Sequence, residues 1–418
     1  MAREFKDSGI EWIGLIPKEW KLAALKQIGT YINGYAFKPE DWTDSGKPII
    51  RIQDLTGSMG SPNFYNGELD SKYLVSKGDI LVSWAATLDA FIWEKEEGWL
   101  NQHIFKALPS SDVNYQFFYW LIKLAMENMN NDNKHGIVMQ HVTTKVFGNF
   151  VVSIPSIDEQ QKIAYYLDKV CGEVDEMVAL QETMIEELKA YKQSVITEAV
   201  TKGLNPNVPM RNSGIDWIGE IPEHWEVRRI GRLFKLRDEK NYKPMEEVQL
   251  LSLYTGIGVF PHGEQEERGN KAVTVEGYKV VHKNDIVVNI ILAWMGAIGV
   301  SDYDGVTSPA YDVYIPDFTK VVPHYFHYVF RTKGIAAECY KYGRGIMMMR
   351  WRTYSSEFKQ ISVPYPSIEE QQQIASYLDA KCSEIDSLIA LKQAKIEELK
   401  EYKKSVIYEY VTGKKEVI

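Results

Sequence analysis

Several stretches of this chain carry residue types that do chemistry, and each stops short of a working set. Tyr254-Thr255-Gly256-Ile257-Gly258 begins like a loop that cradles phosphate with backbone N–H groups, but it lacks the third glycine and the following helix. A simple turn is the reading it supports. Ser308-Pro309-Ala310-Tyr311 is a partial Pro-Pro-aromatic signature of amino-methyltransferases, without the second proline and without a cofactor loop upstream. Pro316-Asp317 with Glu338 and Lys341 approximates a nuclease carboxylate set, with the last spacing one residue too long. His324 and His327 fall on one face of an expected helix with no third ligand close by, which argues against a metal centre. A phosphate-binding loop of the Walker kind and paired cysteines are absent. The chain reads as non-catalytic, with no metal and no cofactor of its own.

What the sequence does carry is a repeat. Pro155-Ser156-Ile157-Asp158-Glu159-Gln160-Gln161 returns as Pro366-Ser367-Ile368-Glu369-Glu370-Gln371-Gln372, and the offset of 211 then holds without a gap. Tyr166-Leu167-Asp168 returns as Tyr377-Leu378-Asp379, Cys171 as Cys382, and Glu186-Glu187-Leu188-Lys189 as Glu397-Glu398-Leu399-Lys400. Each copy reads as one long helix. Apolar residues recur at Ile163, Leu167, Val170, Val174, Met177, Met184, Leu188, Tyr191 and Val195, a heptad seam. The second seam runs through Ile374, Leu378, Ile385, Leu388, Leu399, Tyr402 and Val406. Ser156 and Ser367 are the expected N-caps, with acids in the first turn, and Gly203 and Gly413 the expected stops. Two matched seams in one chain most simply pack on each other as an antiparallel coiled coil. The alternative is that each helix belongs to a separate bundle.

A second repeat opens each half. Ser8-Gly9-Ile10-Glu11-Trp12-Ile13-Gly14, with Trp20, returns as Ser213-Gly214-Ile215-Asp216-Trp217-Ile218-Gly219, with Trp225. Glycine and proline punctuation makes this an extended, turn-rich segment whose tryptophans anchor against a helix end. The globular stretches that follow are related but diverged. Gly78–Ser83 parallels Asn284–Asn289, Asn101-Gln102-His103 lies opposite Ser308-Pro309-Ala310, and Gly136–Met139 lies opposite Gly345–Met348. Pro48–Ile52 and Ile286–Val288 read as strands, Tyr115–Met126 and Tyr325–Ala337 as helices. The fold class is therefore α+β: two mixed domains, two long antiparallel helices, and a pseudo-two-fold internal repeat. The expected boundaries are 1–154 for the first domain, 155–204 for the central helix, 205–365 for the second domain and 366–418 for the last helix.

The totals permit this and set limits on function. A chain of 418 residues holds two to four domains. Three cysteines in no pattern imply a reducing compartment, no apolar run reaches membrane-span length, and the first residues do not form a signal peptide, so a cytoplasmic protein is expected. The net charge of −9 is uneven. Residues 156–204 and 367–418 hold most of it, leaving the globular parts nearly neutral and compatible with a local basic face.

The Pro-Ser-Ile-(Asp/Glu)-Glu-Gln-Gln start, the Ile-Glu-Glu-Leu-Lys-x-Tyr-Lys-x-Ser-Val-Ile end and the Ser-Gly-Ile-(Glu/Asp)-Trp-Ile-Gly opening together resemble the repeats of type I restriction–modification specificity subunits, over the whole chain. The resemblance implies two target-recognition domains that read the halves of an asymmetric bipartite site in double-stranded DNA. It implies a helical pair that sets the spacer and docks two methyltransferase subunits, which use S-adenosylmethionine to methylate adenine N6. It further implies restriction subunits driven by ATP and Mg, with all of that chemistry in the partners. The competing reading is a coiled-coil scaffold that joins two protein-binding domains without DNA.

If DNA is the ligand, its contacts belong to side chains that flank the matched scaffold, where loops diverge. In the first domain these are Lys38, Arg51, Gln53, Ser83, Thr87, Asn101, Gln102, His103, Gln140 and His141. In the second they are Tyr254, Thr255, Asn289, Ser308, Tyr311, Arg344, Arg350 and Arg352. Arg228, Arg229, Arg232, Lys235 and Arg237 form a basic run that suits either phosphate contact or a solvated helix face.

Overall fold

The computed structural model describes residues 3–57, 60–85, 87–132, 144–255, 257–263, 274–345 and 351–417. It divides into two compact units, Met1–Gln181 with Ala394–Ile418, and Glu182–Gln393. The central helix (Ile157–Lys202) and the last helix (Ile368–Val411) each contribute one end to either unit.

In the first unit β1 (Gly29–Asn33), β2 (Ile80–Ser83), β3 (Asp89–Ile92) and β4 (Ile104–Pro109) form an antiparallel sheet in the order β1-β4-β2-β3. Strand β2 is apolar almost without interruption because both of its faces are covered. Ile80 and Val82 point into the main core, and Leu81 into a smaller cluster with Ile50, Val75 and Leu100. Helix α1 (Tyr115–Asp132) supplies Phe117, Phe118, Leu121 and Ala125 to the main core. In the second unit β5 (Phe234–Leu236), β6 (Ile286–Asn289), β7 (Ile298–Val300) and β8 (Tyr311–Pro316) take the order β5-β8-β6-β7, the same connectivity. Ile286 and Val288 again face one core and Val287 the other.

Two expectations about elements need correction. The strand at Lys47–Ile50 ends two residues early, because Arg51 becomes the N-cap of a short helix that starts at Ile52, and its N–H donates to Asp54 Oδ2. The helix expected over 325–337 is two helices, α2 (Pro323–Val329) and α3 (Lys333–Tyr342). Thr332 makes the break: its hydroxyl accepts the Ile335 N–H and donates to the Val329 carbonyl.

The long helices begin and end as their sequence dictates. Ser156 and Ser367 accept the N–H groups of Glu159 and Glu370, and Gly203 and Gly413 adopt positive φ at the exits. In the first unit Tyr166 stacks near Tyr410 at 4.4 Å, and Asp175 binds Lys403 at 2.6 Å, so the two helical segments run in opposite directions. In the second unit Lys392 meets Met184, and Asp386 binds Lys192 at 2.7 Å, again in opposition. The two ion pairs are the same pair by repeat, with the helices exchanged. They are exposed and fix register more than they add stability.

The heptad reading of these helices holds in part: Ile163, Leu167 and Val174 on one helix and Ile374, Leu378, Ile385, Leu399 and Val406 on the other are buried. Met177 and Tyr191, and their counterparts Leu388 and Tyr402, are exposed. Toward the middle, buried positions also recur at every eleventh residue, at Val174, Ile185 and Ile196 on one helix and Ile385, Ile396 and Ile407 on the other. Eleven residues fill three turns at about 3.67 per turn, close to the natural helix, so this line stays on one face with little supercoiling.

Each helix start is bolted to a globular unit by a buried glutamine. Gln160 is 1% exposed. Its Oε1 accepts the Asn114 N–H at 2.7 Å, and its Nε2 donates to the carbonyls of Pro155 and Asp112. Gln371 is fully buried and does the same with the Val322 N–H and the carbonyls of Pro366 and Lys320. The N–H groups they bind open α1 and α2, the helices that back each sheet. Beside them Trp20 and Trp225, both buried, donate indole N–H to Glu159 and Glu370 at 2.9 Å. Trp20 also packs against Gly413 and Trp225 against Gly203, which are the helix exits. Trp20 and Trp225 are thus anchors between one helix start and the other helix end, whereas Trp12 stacks on Phe150 and Trp217 packs against Gly334. The cysteines are free and buried, as small packing groups. Among the described residues no helix is long and apolar enough to cross a membrane.

Substitutions at the joints and at one close backbone approach test this packing. Gln160→Ala or Gln371→Ala strands buried backbone partners and lowers unfolding free energy by about 1–3 kcal/mol, whereas the exposed Gln372→Ala changes it by less than about 0.5 kcal/mol; urea unfolding measures both. A Cβ on Gly34 would overlap the Asn101 carbonyl, where Tyr35 bridges Asn101. Gly34→Ala must displace that backbone and costs about 1–3 kcal/mol in the same assay.

Candidate nucleic-acid interface

In the first unit the candidate residues converge where β2 ends and β4 begins. The turn Asn101-Gln102-His103 leads into β4, and Ser83 at the end of β2 pairs with Ile104. Asn101 is buried and its Oδ1 accepts the His103 N–H at 3.2 Å. Ser83 is closed to solvent and its hydroxyl donates to the Ala85 carbonyl, so it shapes the turn from inside. Parallel pairing of Gly98–Leu100 with Lys47–Ile50 carries Arg51 and Gln53 alongside this turn. The result is a recess of about 310 Å³ into which Arg51, Gln53, Asn101, Gln102 and His103 all face. Phe37, Trp42 and Ile52 complete it. Arg51 donates through Nη2 to the Ser61 carbonyl at 3.0 Å, while its Nε is buried without a partner, as is Gln102 Oε1. Lys38 is exposed next to Phe37, 3.4 Å from Glu40. Thr87 is exposed on the β2–β3 connection. Gln140 and His141 lie outside the described residues.

The second unit gathers its candidates at the corresponding end. Asn289 closes β6 and pairs with Tyr311 at the start of β8. Asn289 is mostly buried, and its Oδ1 accepts the N–H groups of Ile291 and Leu292. Ser308 turns the chain into β8: its hydroxyl accepts the Ala310 N–H and its carbonyl the Tyr311 N–H. Burial raises the Tyr311 hydroxyl above its ordinary range. Arg344 and Arg352 pair through their backbones in both directions at 3.0 Å, and the Thr353 N–H donates to the Ile290 carbonyl, which docks this arm on the same end. Arg344 is exposed, held by Glu357 at 2.6 Å and lying over the Tyr354 ring. Tyr254 and Gly258 face each other across a hairpin, as the turn reading of that glycine-containing stretch requires, with Thr255 exposed at its bend. Arg350 lies outside the described residues.

The basic run is not a helix face. Glu226–Arg229 is a strand and Phe234–Leu236 is β5. Arg237 is consumed by Asp285, bound through Nε at 2.8 Å and Nη2 at 2.9 Å. Arg228 stacks on Tyr365 at 3.9 Å. Arg229, Arg232 and Lys235 remain exposed. The other partial motifs are occupied locally: Asp317 by Thr319 and Lys320, Glu338 by Lys341. His327 is enclosed on α2, and burial, then Arg331, His324 and Lys192, push its pKa down to about 3, so it is neutral at physiological pH.

Sequence reasoning missed Phe37 and Trp42, which precede and follow Pro39 and become the walls of the first recess. It also missed Leu292 and Met295, exposed at the β6–β7 turn. An Asn-x-x-Leu turn and a lone aromatic pair carry no local signal that separates them from core residues.

Comparisons with known proteins place the chain in a family. The sequence profile of the family described as type I restriction modification DNA specificity domain matches residues 17–190 and 222–401, one match in each half. The chain is 25% identical to the Type I restriction enzyme EcoBI specificity subunit of Escherichia coli, covering 93% of this chain and 84% of that one. It is 23% identical to the Type I restriction enzyme MjaVIII specificity subunit of Methanocaldococcus jannaschii, covering 96% and 93%. Its fold matches a chain from a solved structure described as showing complex assembly and conformational transition of the type I R-M system, with a TM-score of 0.65 at 14% identity, over 95% of this chain and 98% of that one. The two matched regions together cover most of the sequence, and the chain belongs to the type I restriction modification DNA specificity family.

Proposed function

We propose that this chain supplies DNA sequence specificity to a type I restriction–modification complex and performs no catalysis itself. Its two units read the two halves of a bipartite site. The observation that carries this reading is the identical sheet order of the units combined with different side chains at matching edges. Asn101-Gln102-His103 in one unit stands where Ser308-Pro309-Ala310 stands in the other, so the halves of the site differ in sequence. Base edges are read by amide, hydroxyl and guanidinium groups, and phosphates are held by lysine and arginine. Lys38, Arg51, Gln53, Thr87, Gln102 and His103 suit these tasks in the first half. Tyr254, Thr255, Ser308, Arg344 and Arg352 suit them in the second. The buried Ser83, Asn101 and Asn289 act by holding the turns.

The long helices act as an antiparallel pair that relates the units by a pseudo-two-fold axis and sets the spacer. Opposed ion pairs with exchanged repeat partners support this. Two methyltransferase subunits, which carry S-adenosylmethionine, dock on the exposed apolar side chains of these helices. Met177, Leu180 and Tyr402 offer such a surface in the first unit, and Leu388, Leu391 and Tyr191 repeat it in the second. Motor–nuclease subunits using ATP and Mg complete the assembly.

Removing one turn from each helix, within residues 174–195 and the equivalent 385–406, shortens the pair by about 5 Å. Methylation-site mapping then shows a changed spacer between unchanged half-sequences. An unchanged spacer contradicts the ruler. Specific binding by the methyltransferase complex also falls steeply as salt rises, and a salt-independent affinity contradicts DNA as the ligand.

A further inference from the structure

We propose that the recess of the first unit is a pocket for one unstacked nucleobase of the bound DNA. This rests on the reading of the chain as a DNA-specificity subunit and adds to it a mode of recognition. A base that remains in the duplex stack offers only its edge, inside a groove, and is read by protein groups that project into that groove. Arg51, Gln53 and Gln102 do not project. They line a concavity of about 310 Å³ between the Lys47–Ile50 strand and the Asn101–His103 turn. A base reaches such a place only by leaving the stack.

The interior has the chemistry of a base pocket. The Arg51 Nε–H is a buried donor and Gln102 Oε1 a buried acceptor, and neither has a partner. Leaving both unpaired is costly, so the occupant must offer an acceptor and a donor together. The Watson–Crick edge of a nucleobase does this. Phe37 forms a buried wall, and Trp42 stands at the opening, 48% exposed. An exposed indole beside a polar recess is a stacking platform that accepts any base face. Lys38, exposed one residue from Phe37, is placed for the phosphate of the displaced nucleotide. The second unit has Pro309 where the first has Gln102, and a proline has no side-chain amide to offer, so the pocket belongs to the first half-site alone.

Mismatched duplexes test this. A base that must leave the stack leaves more easily when its partner no longer pairs with it, so the mismatch tightens binding, whereas a base read in place is bound more weakly. With the target sequence taken from methylation mapping, the complex of this chain with its methyltransferase subunits is titrated with duplexes mismatched at each position of the first half-site. One position gives binding about tenfold tighter. Trp42→Ala and Gln102→Ala each abolish that gain, while discrimination in the second half-site is unaltered, which shows that the variants are folded. If no position tightens binding, or if the gain survives in both variants, the pocket is refuted and the specificity reading stands. If the wild-type complex shows no sequence-specific DNA binding at all, both fall.

Discussion

Everything this protein presents to a ligand depends on two buried amides. Gln160 and Gln371 each sit one residue after a glutamate that binds an anchoring tryptophan. Each satisfies the leading N–H of the helix that backs a sheet, and two carbonyls besides. A glutamine amide in water makes these bonds with solvent, so the net gain is modest. Its loss from a closed site leaves three backbone groups without partners, and that asymmetry makes the joint specific. The joint orients a sheet relative to a helix start. The edge of that sheet that carries the candidate residues, formed by the end of β2 with the start of β4 or by the end of β6 with the start of β8, is oriented with it.

Scaffold and candidate edge are separated in the sequence. The joint, the caps and the tryptophan anchors recur at fixed offsets because both units solve one mechanical problem. Asp168 and Asp379 show how far this goes. Both accept a hydrogen bond from the helix that backs the sheet, from Trp120 in one unit and Tyr328 in the other. The acceptor on the long helix is retained and the donor on the domain has drifted. The edges diverge further still, as Asn101-Gln102-His103 against Ser308-Pro309-Ala310 shows.

That division decides what could be read from the sequence. The repeat, the serine caps, the glycine exits and the helix lengths are local or periodic, and they were legible. The contact line along the helices was not. Met177 and Tyr191 are apolar yet exposed, so heptad spacing takes in residues off the buried face, while Ile185 and Ile196, which continue the eleven-residue step from Val174, fall outside it. The break at Thr332 was hidden because the apolar pattern of α2 continues into α3. The first recess was illegible for another reason. Phe37, Arg51 and Gln102 are far apart in sequence and meet only through the parallel pairing of Trp99 with Ile49 and of Leu100 with Ile50, which nothing local encodes. Residue type alone therefore pointed to the turns at Asn101–His103 and Ser308–Ala310, but not to Ser83 and Asn289 being buried beside them.

The central claim is that two independent readers share one frame. Its most direct measurement is methylation-site mapping after residues 205–365 are replaced by the corresponding domain of another specificity subunit. The account predicts a site in which the second half-sequence takes the donor's identity while the first half and the spacer stay as they were. A change in the first half-sequence, or a spacer that follows the donor, would contradict it.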